Sequence, residues 1–132
     1  MTSFLIALLS FVVLDGLWLG VVMSGFYRTA LGPIARTAAD GSLAPLWLVA
    51  APVYVLLALG EVVFVMPRAA GGGLLAAMGF GALFGLVVYG VYDLTNWSVL
   101  KDYGATVAIV DIAWGTFACG TVATILRVWG GR

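Results

Sequence analysis

The sequence predicts an all-α integral membrane protein, a four-helix antiparallel transmembrane bundle forming one domain over residues 1–132. Three observations predict it. Apolar residues make up 64% of the 132 residues and charged ones only 9%, against roughly 25% charge in soluble domains. The apolar residues gather into four runs, each of the roughly 17–25 residues that cross a bilayer core as a helix. Short polar or glycine-rich stretches separate the runs. At a mean hydropathy of +1.16, a soluble fold of this size has no interior large enough to hide its apolar surface, whereas a bilayer solvates it directly. Four continuous runs are also too few and too uniformly apolar for a barrel, so helix is the spanning element.

The first span is expected over residues 4–24. Met1-Thr2-Ser3 supplies no basic n-region, and the run exceeds the roughly 7–15 residues of a signal h-region, so it reads as a permanent span. The second is expected over residues 43–66, with Pro45 tolerable near its start and Pro52 removing a backbone bond and kinking it. Its Glu61 is expected near one face of the membrane, snorkelling beside Arg68. The third and fourth are expected over residues 74–95 and 104–128. Residues 25–42, with Tyr27, Arg28, Pro33, Arg36 and Asp40, form the only long connection, sufficient for a short interfacial helix. Residues 66–73 and 96–103 read as short turns, which imply antiparallel neighbours.

Small residues predict how the helices pack. Ala77, Gly81 and Gly85 recur at steps of four in the third span, and Gly16 and Gly20 share that spacing in the first. Such stripes permit close backbone approach, within one bundle or across a homodimer. Orientation is not encoded in the charge count. Arg68, Arg127 and Arg132 fall on the side of the termini, and Arg28, Arg36 and Lys101 on the other, which leaves the positive-inside rule nothing to act on.

Composition also excludes functions. Six acids and six bases give zero net charge, which argues against nucleic acid and against a basic membrane-docking face. The chain has no histidine, so His-ligated haem and the usual His-rich metal sites are excluded, and no metal or cofactor is expected. Lone Cys119 rules out an intrachain disulfide. The expected partners are the lipid bilayer and, beyond it, a second copy or a membrane-complex subunit.

The residues that carry chemistry are acids inside the apolar runs. Asp15 sits mid-span in the first and Asp111 about two turns into the fourth, each with a tryptophan three residues on, Trp18 and Trp114, on the same helix face. A carboxylate at that depth costs several kcal/mol unless it is protonated, paired or facing a polar interior, so function is its default reading. Asp93 lies near the end of the third span, preceded by Tyr89 and Tyr92 and followed by Thr95 and Asn96. Asp15, Asp93 and Asp111 are expected to point into one polar cavity in the same half of the membrane, lined by Tyr89, Tyr92, Asn96, Trp18 and Trp114. Like charges this close cannot all ionise in a poorly solvated space, so at least one acid, Asp15 first, is expected to carry a proton.

The runs Leu14-Asp15-Gly16-Leu17-Trp18-Leu19-Gly20, Tyr89-Gly90-Val91-Tyr92-Asp93-Leu94-Thr95-Asn96 and Asp111-Ile112-Ala113-Trp114-Gly115, with Tyr27 between the first two, resemble the bacterial predicted membrane proteins of domain-of-unknown-function family 2177. The resemblance covers nearly the whole chain and departs at Lys101-Asp102-Tyr103, before the fourth span. It implies four spans and a bacterial cytoplasmic (inner) membrane. Relatives tend to be encoded near lipid-modifying genes, which implies a lipid-linked role. Three function classes follow. The first is proton- or cation-linked binding or transport of a small or lipid-like ligand. The second is an accessory or assembly subunit that docks through its glycine stripe. The third is a membrane-embedded lipid-modifying enzyme, with Asp93 and Asp111 as acid and base or as ligands of a hard cation.

Overall fold

In hydrocarbon a helix satisfies every backbone N–H and C=O within its own segment, and each apolar run folds accordingly. A computed structural model describes residues 1–130, most of which are helical, with no named strand among them. Four helices are long and apolar enough to cross a membrane: Thr2–Val22, Trp47–Ala69, Gly73–Val99 and Ala105–Trp129. The first comprises α1 (Thr2–Leu17) and a π-helical turn (Trp18–Val22). The second comprises α3 (Trp47–Gly60), a π-helical turn (Glu61–Val65) and α4 (Met66–Ala69). The third and fourth are α5 (Gly73–Val99) and α6 (Ala105–Trp129). Arg132, one of the cations in the charge count, lies outside the described residues.

The residues between the first two spans hold α2 (Ser24–Leu31), then a 3-10 turn over Gly32–Ile34 and a hairpin closed by an antiparallel bridge between Thr37 and Leu43. In that hairpin Asp40 accepts hydrogen bonds from the hydroxyl and amide of Ser42, at 2.7 and 2.9 Å. The same two bonds hold its carboxyl below the usual carboxylate range.

The second span begins at Trp47, four residues later than expected. The residue before a proline is pushed toward extended geometry, so Pro45 keeps Ala44 out of the helix, and Leu46, itself extended, is the cap before Trp47. The same span runs past Pro67 to Ala69, because Pro67 sits in the first turn of α4 after a π turn, where a missing N–H costs least. The third span extends to Val99, which places Asn96 inside the helix rather than in the turn.

α5 and α6 form the closest pair. Ala77, Gly81 and Gly85 are buried against α6. A Cβ on Gly81 would stand 2.5 Å from the Ala123 methyl and 2.6 Å from the Cys119 carbonyl oxygen. On Gly85 it would meet the Gly115 backbone. Gly16 and Gly20 behave differently. Both face outward with no atom within 4 Å of a would-be Cβ, so they do not pack another helix of this chain. The α1 face turned inward is instead that of Ala7, Phe11 and Asp15. Ala7 and Phe11 join Leu57, Ala58, Cys119, Val122 and Leu126 in the main apolar core. A second cluster, Val65, Ala69, Ala77 and Ala123, closes the end of the bundle beside the 70–72 turn. At that end the Ser3 hydroxyl donates to the Gly130 carbonyl oxygen at 2.6 Å, tying the start of α1 to the end of α6.

Glu61 does not snorkel. It is fully buried, and no cation reaches it. Position along the span sets its distance from the membrane face: it lies eight residues before Ala69, about 12 Å at about 1.5 Å per residue, too deep for its short stem to reach water.

Candidate functional site

Every lysine and arginine among the described residues is exposed, while Asp15, Glu61 and Asp93 are buried. The bundle interior is thus acidic with no base to neutralise it, which makes the acids' hydrogen-bond partners decisive.

Asp15 and Asp111 line one cavity of about 410 Å³. α1 delivers Asp15 from the turn before its π segment, and α6 delivers Asp111 from its second turn. The indole N–H of Trp114 donates to Asp15 at 2.7 Å, and the Tyr54 hydroxyl approaches the same carboxyl. The Tyr27 hydroxyl donates to Asp111 at 2.6 Å and accepts from the Trp18 indole N–H at 3.2 Å. The Trp18 and Trp114 rings stack parallel with centroids 4.3 Å apart. Acid and indole are therefore exchanged between α1 and α6, and the paired rings hold the two helices in register.

Asp93 lies behind the cavity wall, fully buried and close enough to Asp111 for one carboxyl to hydrogen-bond the other. The Tyr103 hydroxyl donates to its Oδ1, while Oδ2 meets no donor in the protein. Two carboxyls this close are unfavourable as a pair of ionised groups unless a proton is shared between them. Tyr27 and Tyr103 lie in the connections outside the spans. Burial first, and then the carboxylate each phenol donates to, hold both hydroxyls protonated well above the usual range of tyrosine.

The chain has five tyrosines. All five, Tyr27, Tyr54, Tyr89, Tyr92 and Tyr103, line the cavity, with Trp114 and aliphatic side chains between them. Of the residues expected there, Asp15, Asp111, Tyr89, Tyr92 and Trp114 are in the wall. Trp18 stands behind it, stacked on Trp114, and Asn96 reaches Tyr92 from outside the cavity. No group of three acids, cysteines or histidines that could hold a metal occurs among the described residues.

Residues 1–128 match the family described as "Predicted membrane protein (DUF2177)". The chain belongs to that family. No curated protein and no solved structure matches it. In this DUF2177 protein three lining phenols lay outside the expected set: Tyr27, Tyr54 and Tyr103. Tyr54 carried a signal in the sequence, a hydroxyl in the middle of an apolar span where a buried phenol needs a partner. Tyr27 and Tyr103 sit in connections, and only the fold brings them under the acids.

Proposed function

We propose that the cavity binds a lipophilic cation, or the amine-bearing head of an amphiphile, in exchange for a proton. The observation that carries this reading is the lining: two carboxyls, five phenols and an indole, with no lysine or arginine. Aromatic faces attract cations, most strongly where the site is desolvated, and acids supply the opposite charge. The ionised acids would repel an anionic ligand, and no lysine or arginine would offset that repulsion. The volume falls within the roughly 300–1,000 Å³ of small-molecule sites.

Access from the bilayer supports an amphiphile over a water-soluble ion. α3 and α5 do not pack along one another and meet only near the 61–65 turn and α4. At the level of the cavity this leaves Val53 and Val88 as wall residues that are also exposed on the lipid side, together with Tyr92. A ligand's apolar portion can lie in that cleft while its charge reaches Asp15. The glycine stripe of α5 is spent on α6 within the chain, so an accessory-subunit role would need another surface, such as the outward face of Gly16 and Gly20.

The test is binding of tetraphenylphosphonium to the protein in lipid nanodiscs, read by Trp fluorescence or calorimetry. Binding is expected to weaken on acidification as protons compete. Asp15→Asn should fold, since the amide mimics the protonated acid, and should weaken binding at least about tenfold, the equivalent of about 1.4 kcal/mol. Tetraphenylborate, of the same shape and opposite charge, should not bind. Equal binding of both ions, or full affinity in Asp15→Asn, would overturn the proposal.

A further inference from the structure

Glu61 belongs to no part of the cavity and has no partner. Its side chain is fully buried, and neither carboxylate oxygen has a hydrogen-bond donor within reach. It opens the π-helical turn Glu61–Val65, a widened segment of the kind that recurs at functional positions. The groups around it are nearly all apolar. α6 presents Cys119, which lies close enough to feel both Glu61 and Asp15. α1, α3, α4 and α5 present no charged group to it, and Arg68 of α4 instead lines a separate groove with Phe64, Phe80 and Phe84. The Phe84 ring covers Gly60, closing the side toward α5.

An ionised carboxylate without a donor or a counter-charge is not tolerated at such a position; the group takes up a proton instead. A metal ion would need further ligands, and none are grouped there among the described residues. From this geometry we infer that Glu61 is a second proton-binding site, separate from the cavity and set in the opposite half of the bundle. Leu57, Phe11 and Cys119 belong to the buried apolar core, and Cys119 lies near both Asp15 and Glu61. Proton-binding groups thus stand on both sides of the apolar core, with Asp15, Asp93 and Asp111 toward the Tyr103 end and Glu61 toward the 70–72 turn.

The site is tested with dicyclohexylcarbodiimide, which modifies protonated carboxyls in apolar surroundings, on the protein in nanodiscs. Peptide mass spectrometry is expected to find the adduct on Glu61, with yield falling as pH rises from mildly acidic to alkaline. Infrared difference spectra should lose one protonated-carboxyl C=O band in Glu61→Gln, and that variant should retain tetraphenylphosphonium binding. Absence of adduct on Glu61 at every pH, with Asp15 labelled in the same sample, would overturn the inference. So would an unchanged carbonyl region in Glu61→Gln. Should the variant not fold, the wild-type adduct and its pH dependence decide alone. Failure of the cation to bind while Glu61 is labelled would sink the cavity reading and leave this one standing.

Discussion

Asp15 and Asp111 each precede a tryptophan by three residues, yet neither acid takes the N–H of its own. Trp114 of α6 serves Asp15 of α1, and Trp18 of the first span serves Asp111 through the Tyr27 hydroxyl. Tyr27 is the joint of this exchange, donating to one group and accepting from another. An average hydrogen bond between membrane helices is worth about 0.6 kcal/mol. Tyr27→Phe strands both partners, and a buried polar group left unpaired costs about 1–3 kcal/mol. The larger figure should prevail, and steric-trap or thermal unfolding of Tyr27→Phe is expected to show a loss in that range. The phenols also set an alkaline limit. Tyr27 and Tyr103 have their ionisation pushed above the ordinary range, near about 10. The unfolded chain releases those protons first as pH rises, while the folded chain keeps them. Stability is therefore fully present below pH about 10 and declines above it. A denaturation series across that range should show the decline, flattened in a Tyr27→Phe, Tyr103→Phe double variant.

At the scale of elements, the α5–α6 contact separates two kinds of glycine that look alike in the sequence. Gly81 and Gly85 have backbone or methyl atoms of α6 where a side chain would go, whereas Gly16 and Gly20 have open space. Overpacking a tight contact costs about 1–3 kcal/mol or more, so Gly81→Leu and Gly85→Leu should lower thermal stability strongly and Gly16→Leu hardly at all. Equal tolerance of all three would mean that the α5–α6 contact is not close. Both pairs have the four-residue spacing that defines the packing motif. That spacing shows that a stripe exists on one helix face but not which way the face turns, because an apolar bilayer accepts a glycine face as readily as a neighbouring helix does. The same limit explains Glu61. Distance along the sequence gave its depth approximately, but whether the side chain aims outward or inward depends on the rotation of the second span, which the π turn resets. Span number was readable because bilayer thickness imposes the length of each apolar run, whereas the ends of the spans were not, as the later start of the second shows. An inward-facing Asp15 and Asp111 could be expected from the sequence because an acid at that depth is costly facing lipid. Tyr103 beneath Asp93 could not, since a connection carries no periodicity to orient it.

For the whole molecule the open property is the order of the spans across the bilayer. The Ser3–Gly130 hydrogen bond places the start of the first span and the end of the fourth at one end of the bundle. Val65, Ala69, Ala77 and Ala123 cluster near that same end. Tyr27 and Tyr103, from the two other connections, meet Val107 and Ala108 at the far end. These contacts support the up-and-down order that we propose, with the termini and the 70–72 turn on one side of the membrane and residues 25–46 and 100–104 on the other. Cys119 is buried and should resist a charged maleimide, so single cysteines can report sidedness without interference. In sealed vesicles Gly71→Cys and Asp102→Cys are expected to label from opposite sides, and Gly71→Cys and Thr2→Cys from the same side. Each vesicle preparation should give one pattern if orientation is unique. Labelling of every position from both sides of intact vesicles would mean that the chain inserts in two orientations, an outcome that the evenly divided cations do not oppose. Labelling of Gly71→Cys and Asp102→Cys from the same side alone would mean that the third span does not cross, and the four-span order would fall.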